Sequence, residues 1–283
     1  MRPEAVFIHG DAARVVRGLP CGFADLCVTS PPYWGLRDYG GGAEEIGAED
    51  HFDCYLDRLT DVFDAVWGAL KPDGAMWLNL GDVYAGGTRG ARNAPEPGGG
   101  PRVKTGGERD VQRGATGMKE GCLVGLPWKA VGALVARGWI LRADVVWEKP
   151  NPQPQPPQNR PTSAHEYFFL LVKSMGYWWD RDAAREPTAD GEGTRNMRDV
   201  WRVPTYRYPG AHFAVMPPTL ARRAILTACP PGGLVIDPFA GAGTTGCVAV
   251  EAGRNFLGVE LVEDNIRQAE ERTAQAGAGG KWK

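Results

Sequence analysis

The string Thr29-Ser30-Pro31-Pro32-Tyr33 follows an apolar run, Asp25–Thr29, that reads as a buried strand. Two successive prolines fix φ and remove backbone donors, so the turn is rigid and rich in free carbonyls. The Pro31 carbonyl and the Ser30 hydroxyl can accept hydrogen bonds from an amino group, and Tyr33 offers an aromatic face. A base stacked on such a face gains roughly 1–3 kcal/mol, which offsets the few kcal/mol needed to extrude it from a duplex. Taken alone, the same string reads equally well as an ordinary strand-ending turn.

A second constellation lies late in the chain. Leu234–Ile236 reads as a strand, followed by Asp237-Pro238-Phe239-Ala240-Gly241-Ala242-Gly243-Thr244-Thr245 and a helix start. Gly241 and Gly243 permit close backbone approach, and the helix N-terminus supplies unpaired N–H groups. Glu260 ends the next strand, where an acid can accept ribose hydroxyls. A phosphate-gripping loop would require Gly-Lys-[Ser/Thr], and there is no such lysine. Gly246 keeps dinucleotide spacing open, but Asp237 before the turn would repel a pyrophosphate. An acid there suits a ligand with an ammonium group, and S-adenosylmethionine fits both ends of the loop.

The elements that must position these residues alternate. Strands are expected at Ala5–His9, Asp25–Thr29, Ala75–Leu80, Leu141–Trp147, Glu166–Lys173, Leu234–Ile236 and Asn255–Val259. Helical patterns occupy His51–Leu70, Pro127–Arg137, Pro217–Cys229, Thr244–Ala252 and Glu263–Ala274, with Lys71-Pro72-Asp73-Gly74 as a turn. This alternation predicts an α/β fold with a mostly parallel sheet covered on both faces. Two segments break it: Tyr84–Gly121, rich in Gly, Arg and Pro, and Gly176–Pro209, rich in Arg, Trp and Tyr. Both follow strand ends, where ligands bind in open α/β sheets. Residues 150–161 read as a stiff, proline-rich connector.

Bulk properties exclude several classes. The 283 residues carry 32 basic and 34 acidic side chains, a balance that argues globally against nucleic acid. Locally, 84–121 holds seven Lys/Arg against four Asp/Glu, and 195–208 holds four Arg against one Asp. Such clusters are equally compatible with a solvated face. The cysteines at 21, 27, 54, 122, 229 and 247 form no Cys-x-x-Cys pair, and the histidines at 9, 51, 165 and 212 are scattered, so no metal site is expected. No 18-residue apolar run and no signal region is present, which predicts a cytoplasmic protein without a membrane partner.

The two motifs together resemble the amino-group DNA methyltransferases of restriction-modification systems and phages. With Ser-Pro-Pro-Tyr early and the glycine loop late, the order is similar to that of their β group. The resemblance covers nearly the whole chain. It implies a circularly permuted, Rossmann-like S-adenosylmethionine-dependent methyltransferase fold, with a mixed, mostly parallel, seven-stranded sheet. Phe7-Ile8-His9-Gly10-Asp11 is similar to the strand whose acid meets the cofactor adenine, and His212–Pro217 to the element over its methionine. Implied cofactor residues are therefore Asp11, Thr29, Phe213, Pro217, Asp237, Pro238, Phe239, Gly241, Gly243, Thr244, Thr245 and Glu260. Asp144–Asn151 and His165-Glu166-Tyr167 resemble later core strands near the base pocket.

Within that family a Ser at the first motif position is typical of cytosine N4 enzymes, and Asp or Asn of adenine N6 enzymes, so Ser30 implies cytosine. Implied catalytic residues are Ser30, Pro31, Pro32 and Tyr33. Asn79 stands where some cytosine members carry an acid; an amide is a poor base, which makes Asp82 an alternative proton acceptor. Carbon-5 methylation would need a cysteine nucleophile, and Pro20-Cys21 lies before the strand rather than after it. RNA or protein methylation is a remoter alternative. Double-stranded DNA is the implied partner, contacted by Arg37 (with Asp38 beside it), Lys149, Arg195, Arg198, Arg202 and Arg207. A homodimer and a cognate restriction endonuclease are further partners compatible with the resemblance. The expected partition is a catalytic domain from 1–83, 122–175 and 209–283, a basic insertion at 84–121 and a target-recognition region at 176–208.

Overall fold

The computed structural model describes residues 3–35, 42–85, 117–155, 159–206, 215–280 and 282. Its strands are β1 (Ala5–His9), β2 (Ala24–Thr29), β3 (Leu70–Leu80), β4 (Ile140–Glu148), β5 (His165–Val172), β6 (Arg185–Pro187), β7 (Thr194–Asn196), β8 (Val200–Arg202), β9 (Leu234–Asp237) and β10 (Asn255–Glu260). Its helices are α1 (Ala12–Arg17), α2 (Phe52–Ala69), α3 (Leu126–Ala136), α4 (Pro218–Ala228), α5 (Thr244–Glu251) and α6 (Glu263–Gly277).

Eight strands form the main sheet in the order β1-β10-β9-β2-β3-β5-β4-β8, and β6 and β7 make a separate hairpin. Of the eight, β5 alone runs against its neighbours, pairing antiparallel with both β3 and β4. The expected count of seven is therefore corrected to eight. The additional strand, β8, is three residues long and carries too little pattern to announce itself, yet Val200–Arg202 pairs in register with Val146–Glu148. It ties the expected recognition region directly to the catalytic sheet.

Central strands are apolar on both faces because both are covered. Leu26 and Val28 of β2 join Ala75 and Trp77 of β3 under α4, while Cys27, Met76 and Leu78 face the core shared with α2 and α3. Trp77 stacks on Phe168 at 5.0 Å between ring centroids and leans on Trp201 at 5.5 Å. On α2, Tyr55, Leu59, Val62, Phe63 and Val66 recur at helical spacing and are fully buried. The Lys71–Gly74 turn is also revised. It lies within β3, where the pairing jumps from Ala24↔Leu70 to Leu26↔Ala75, so the residues with turn propensity form an irregularity inside the strand. The short α1 was not expected; Asp11 caps it by accepting from the Arg14 N–H at 2.8 Å.

Candidate active site

The expected site residues gather at one edge of the sheet, the carboxyl end of its parallel strands. Asp11 follows β1, Ser30 follows β2, Asn79 lies near the end of β3, and Asp237 and Glu260 end β9 and β10. The reversed strand β5 brings its amino end, and with it Glu166, to the same edge. Ligands of open α/β sheets bind in this position.

A cleft opens there, lined by Asp11, Ser30, Pro32, the 237–242 loop, Thr244, Thr245 and Glu260. The loop is shaped by hydrogen bonds to two acids. Asp237, buried, accepts from Thr29 Oγ1 at 2.6 Å, the Phe239 N–H at 3.0 Å and Thr245 Oγ1 at 2.8 Å. Burial pushes its carboxyl up to about 6; the three hydrogen bonds pull the other way and the charge of Glu260 adds to the rise. Glu260 accepts from the Gly241 N–H at 2.8 Å and the Val262 N–H at 2.9 Å. Gly243, at φ +74°, has no room for a Cβ, which would lie 2.7 Å from that of Ala269.

Sequence reasoning missed part of this wall. Glu44, Glu45 and Ile46 line the cleft, and Arg58 of α2 holds their segment through the Glu44 and Glu45 carbonyls and the Glu49 carboxylate. Arg272, buried on α6, donates to the Ala242 carbonyl inside the glycine loop, and Asn265 reaches Glu260 at 3.2 Å. No sequence motif marks these contacts, which run from 5 residues apart (Asn265 to Glu260) to 30 (Arg272 to Ala242). The lining fits S-adenosylmethionine: the carboxylates of Asp11, Asp237 and Glu260 suit ribose hydroxyls and a cationic ligand, and would repel a pyrophosphate.

The Ser-Pro-Pro-Tyr turn meets this cleft at Ser30 and Pro32. Beyond it, Tyr33 donates its hydroxyl to Glu166 Oε2 at 2.7 Å and lies 3.5 Å from Ser30 Oγ. Asn79 Oδ1 receives Ser30 Oγ at 3.3 Å and lies 3.4 Å from the Tyr33 hydroxyl, while its Nδ2 donates to Glu166 at 3.1 Å and to the Tyr167 carbonyl at 3.0 Å. The Pro32 carbonyl is occupied by the Tyr55 hydroxyl at 3.0 Å. Tyr33 packs so closely on Gly81 that a Cβ there would lie 2.7 Å from its ring.

Other expected residues stand elsewhere. Asp82 accepts three backbone N–H groups, from Val83 at 2.8 Å, Gly125 at 3.1 Å and Leu126 at 3.0 Å, and so closes the start of α3 from a distance. Lys149 pairs with Glu166 instead of facing outward. Arg195 and Arg198 both reach Glu186 of β6, at 2.9 and 3.2 Å, and Arg202 reaches Glu148 at 3.3 Å. Pro217 precedes α4 as its cap residue, with Val215 and Met216 on the cleft wall. Arg37, Asp38, Arg207 and Phe213 lie outside the described residues.

With the geometry in hand, comparison with known proteins is direct. A family model described as DNA methylase, covering the N6 and N4 enzymes, matches residues 24–271. The chain belongs to this DNA methylase family. Among curated relatives, this methylase is 45% identical to the type II methyltransferase M.SmaI of Serratia marcescens over 94% of its own length and 89% of that protein's. Among solved structures it is similar to TTHA0409 of Thermus thermophilus, complexed with S-adenosyl-L-methionine, at TM-score 0.67 and 27% identity over 98% and 97% of the two chains. The PvuII DNA methyltransferase, described as cytosine-N4-specific, shares the fold at TM-score 0.66 and 18% identity, over 99% and 96%. The permuted S-adenosylmethionine-dependent methyltransferase fold expected from the motif order is thus the fold of this methylase. It is a type II DNA amino-methyltransferase, and no described helix is long and apolar enough to cross a membrane.

Proposed function

We propose that this methylase transfers a methyl group from S-adenosylmethionine to the N4 amino group of a cytosine flipped out of duplex DNA. The observation that carries this reading is the hydrogen bond from Thr29 to Asp237, which locks the Ser-Pro-Pro-Tyr turn to the glycine loop at neighbouring strand ends. The choice of cytosine rests on Ser30. Asp237, Glu260 and Asp11 hold the cofactor, which when bound supplies a methyl made electrophilic by its sulfonium. Tyr33 stacks on the base, and Ser30 with the Pro31 carbonyl orients the amino group so that its lone pair faces the cleft. Positioning supplies most of the rate, with little covalent work for the protein. In this reading 176–208 addresses the target sequence. Arg195, Arg198 and Arg202 leave their carboxylate partners to meet base edges or phosphates. The partition into a catalytic body, an 84–121 insertion and this recognition segment belongs to the same proposal.

The test is tritiated methyl transfer to duplex DNA, RNA and protein, with Tyr33→Ala as control, followed by nucleoside analysis of labelled DNA. Label on N4-methylcytosine that disappears in Tyr33→Ala is the expected result. Label on adenine N6 overturns the inference from Ser30, and absence of label from every DNA overturns the whole reading.

A further inference from the structure

We propose that Glu166, with Lys149 as its counter-ion, is a positioning residue for methyl transfer, and that Lys149 serves this pocket and makes no contact with DNA phosphate. The inference rests on the reading above and assigns roles to one residue from each of the two segments that the resemblance places near the base pocket. Three donors converge on the Glu166 carboxylate: Lys149 Nζ on Oε1, and the Tyr33 hydroxyl and Asn79 Nδ2 on Oε2. An ionised carboxylate accepts at both oxygens, so it satisfies all three at once. Asn79 is oriented by the same contacts. Its Nδ2 faces two acceptors, Glu166 and the Tyr167 carbonyl, which turns Oδ1 toward Ser30 and Tyr33.

The acid expected on β3 is absent, since position 79 is an amide, but a carboxylate stands beside it on the adjacent strand, β5. Asn79 is paired directly with Phe168 in the sheet, and Glu166 sits two residues away at the same edge. The ion pair is a dipole whose negative end faces the Ser30–Tyr33 turn, where positive charge grows on the attacking amino nitrogen. Lys149 is poorly placed for phosphate. Its side chain is 18% exposed, its ammonium is 4.6 Å from the Trp147 ring centroid, and it is bound to a carboxylate that is itself 15% exposed. Neither residue is marked by sequence spacing, because β5 and β4 deliver them from 133 and 116 residues beyond Tyr33.

The test compares Glu166→Gln, Lys149→Met, Lys149→Arg and the Gln/Met double variant in the full chain, by methyl-transfer kinetics and by equilibrium DNA binding across a salt series. Glu166→Gln is expected to lower kcat by about a hundredfold, the cost of misplacing a reacting group by about an ångström, with KM for DNA nearly unchanged. Lys149→Met lowers kcat in the same direction, Lys149→Arg restores much of it, and the double variant is no slower than Glu166→Gln alone. The slope of log affinity against log salt stays at the wild-type value in Lys149→Met, whereas a lost phosphate contact would flatten it by about 1. Wild-type kcat in Glu166→Gln, or a flattened slope with retained kcat in Lys149→Met, overturns the proposal. If Glu166→Gln loses its melting transition, Lys149→Met and Lys149→Arg decide by themselves. Absence of label from the wild-type protein refutes the parent reading instead, and the salt slope still decides where Lys149 acts.

Discussion

Gly81→Ala perturbs the placement of Tyr33 without removing any polar group. The backbone at Gly81 is open to an L side chain, so elsewhere such a change would be neutral or stabilise by about 0.4–1 kcal/mol. Here the new Cβ would lie 2.7 Å from Tyr33 Cε2 and 3.1 Å from Glu166 Cδ. Carbon atoms rest at about 3.5–4.0 Å, so the ring must retreat by about 1 Å, and the hydrogen bond from Tyr33 to Glu166 is caught in the displacement. A shift of that size costs about a hundredfold in rate, equivalent to about 2.7 kcal/mol of barrier, and overpacking takes about 1–3 kcal/mol from stability. Single-turnover methyl transfer with labelled cofactor measures the first, and urea denaturation the second. Cofactor affinity should hold, because neither Gly81 nor Tyr33 lines the cleft that the carboxylates at 237 and 260 shape. A variant with wild-type single-turnover rate would refute the reasoning, since Tyr33 would then tolerate displacement.

Two further outcomes follow from acids that accept several hydrogen bonds. Asp237 is pushed up to about 6 by burial, so its contribution to stability is fully present below the unfolded value and is lost as pH rises through 6. Between pH 5 and 7.5 the wild type should lose about 1.4 kcal/mol relative to Asp237→Asn; parallel stability curves by urea titration would rule this out. Asp82→Ala removes the acceptor of two N–H groups at the start of α3 and should cost about 1–2 kcal/mol. Unchanged chemical denaturation would show that these bonds do not support the helix.

What could be read from sequence was local. The turn at 29–33 and the loop at 237–245 are contiguous strings whose prolines, glycines and acid define their own backbone, and their strands are apolar runs with clear ends. Elements lacking enough residues to show a period, such as α1 with six and β8 with three, escaped notice. The pocket acid was half legible. The resemblance put His165-Glu166-Tyr167 near the base pocket, but the contact of Glu166 with Tyr33 depends on the reversal of β5. Asp82 shows the converse: proximity to Asn79 in sequence suggested chemistry, but its carboxylate turns to the backbone of α3. Lys149 and the arginines at 195, 198 and 202 could be identified as cations from the sequence, whereas their carboxylate partners depend on packing.

The position of β9 and β10 between β1 and β2 has a consequence for how the molecule comes into being. During synthesis, β1 and β2 emerge early with no partner for their facing edges, and the two strands that fill the gap are made last. The growing chain therefore carries open strand edges, which invite wrong pairings, and closing so non-local a sheet is slow. Thr29, which leads into the Ser-Pro-Pro-Tyr turn, is translated 208 residues ahead of the acid that anchors it, Asp237. Until that acid arrives the turn has no glycine loop beside it, so the cleft takes shape only once β9 and β10 have paired.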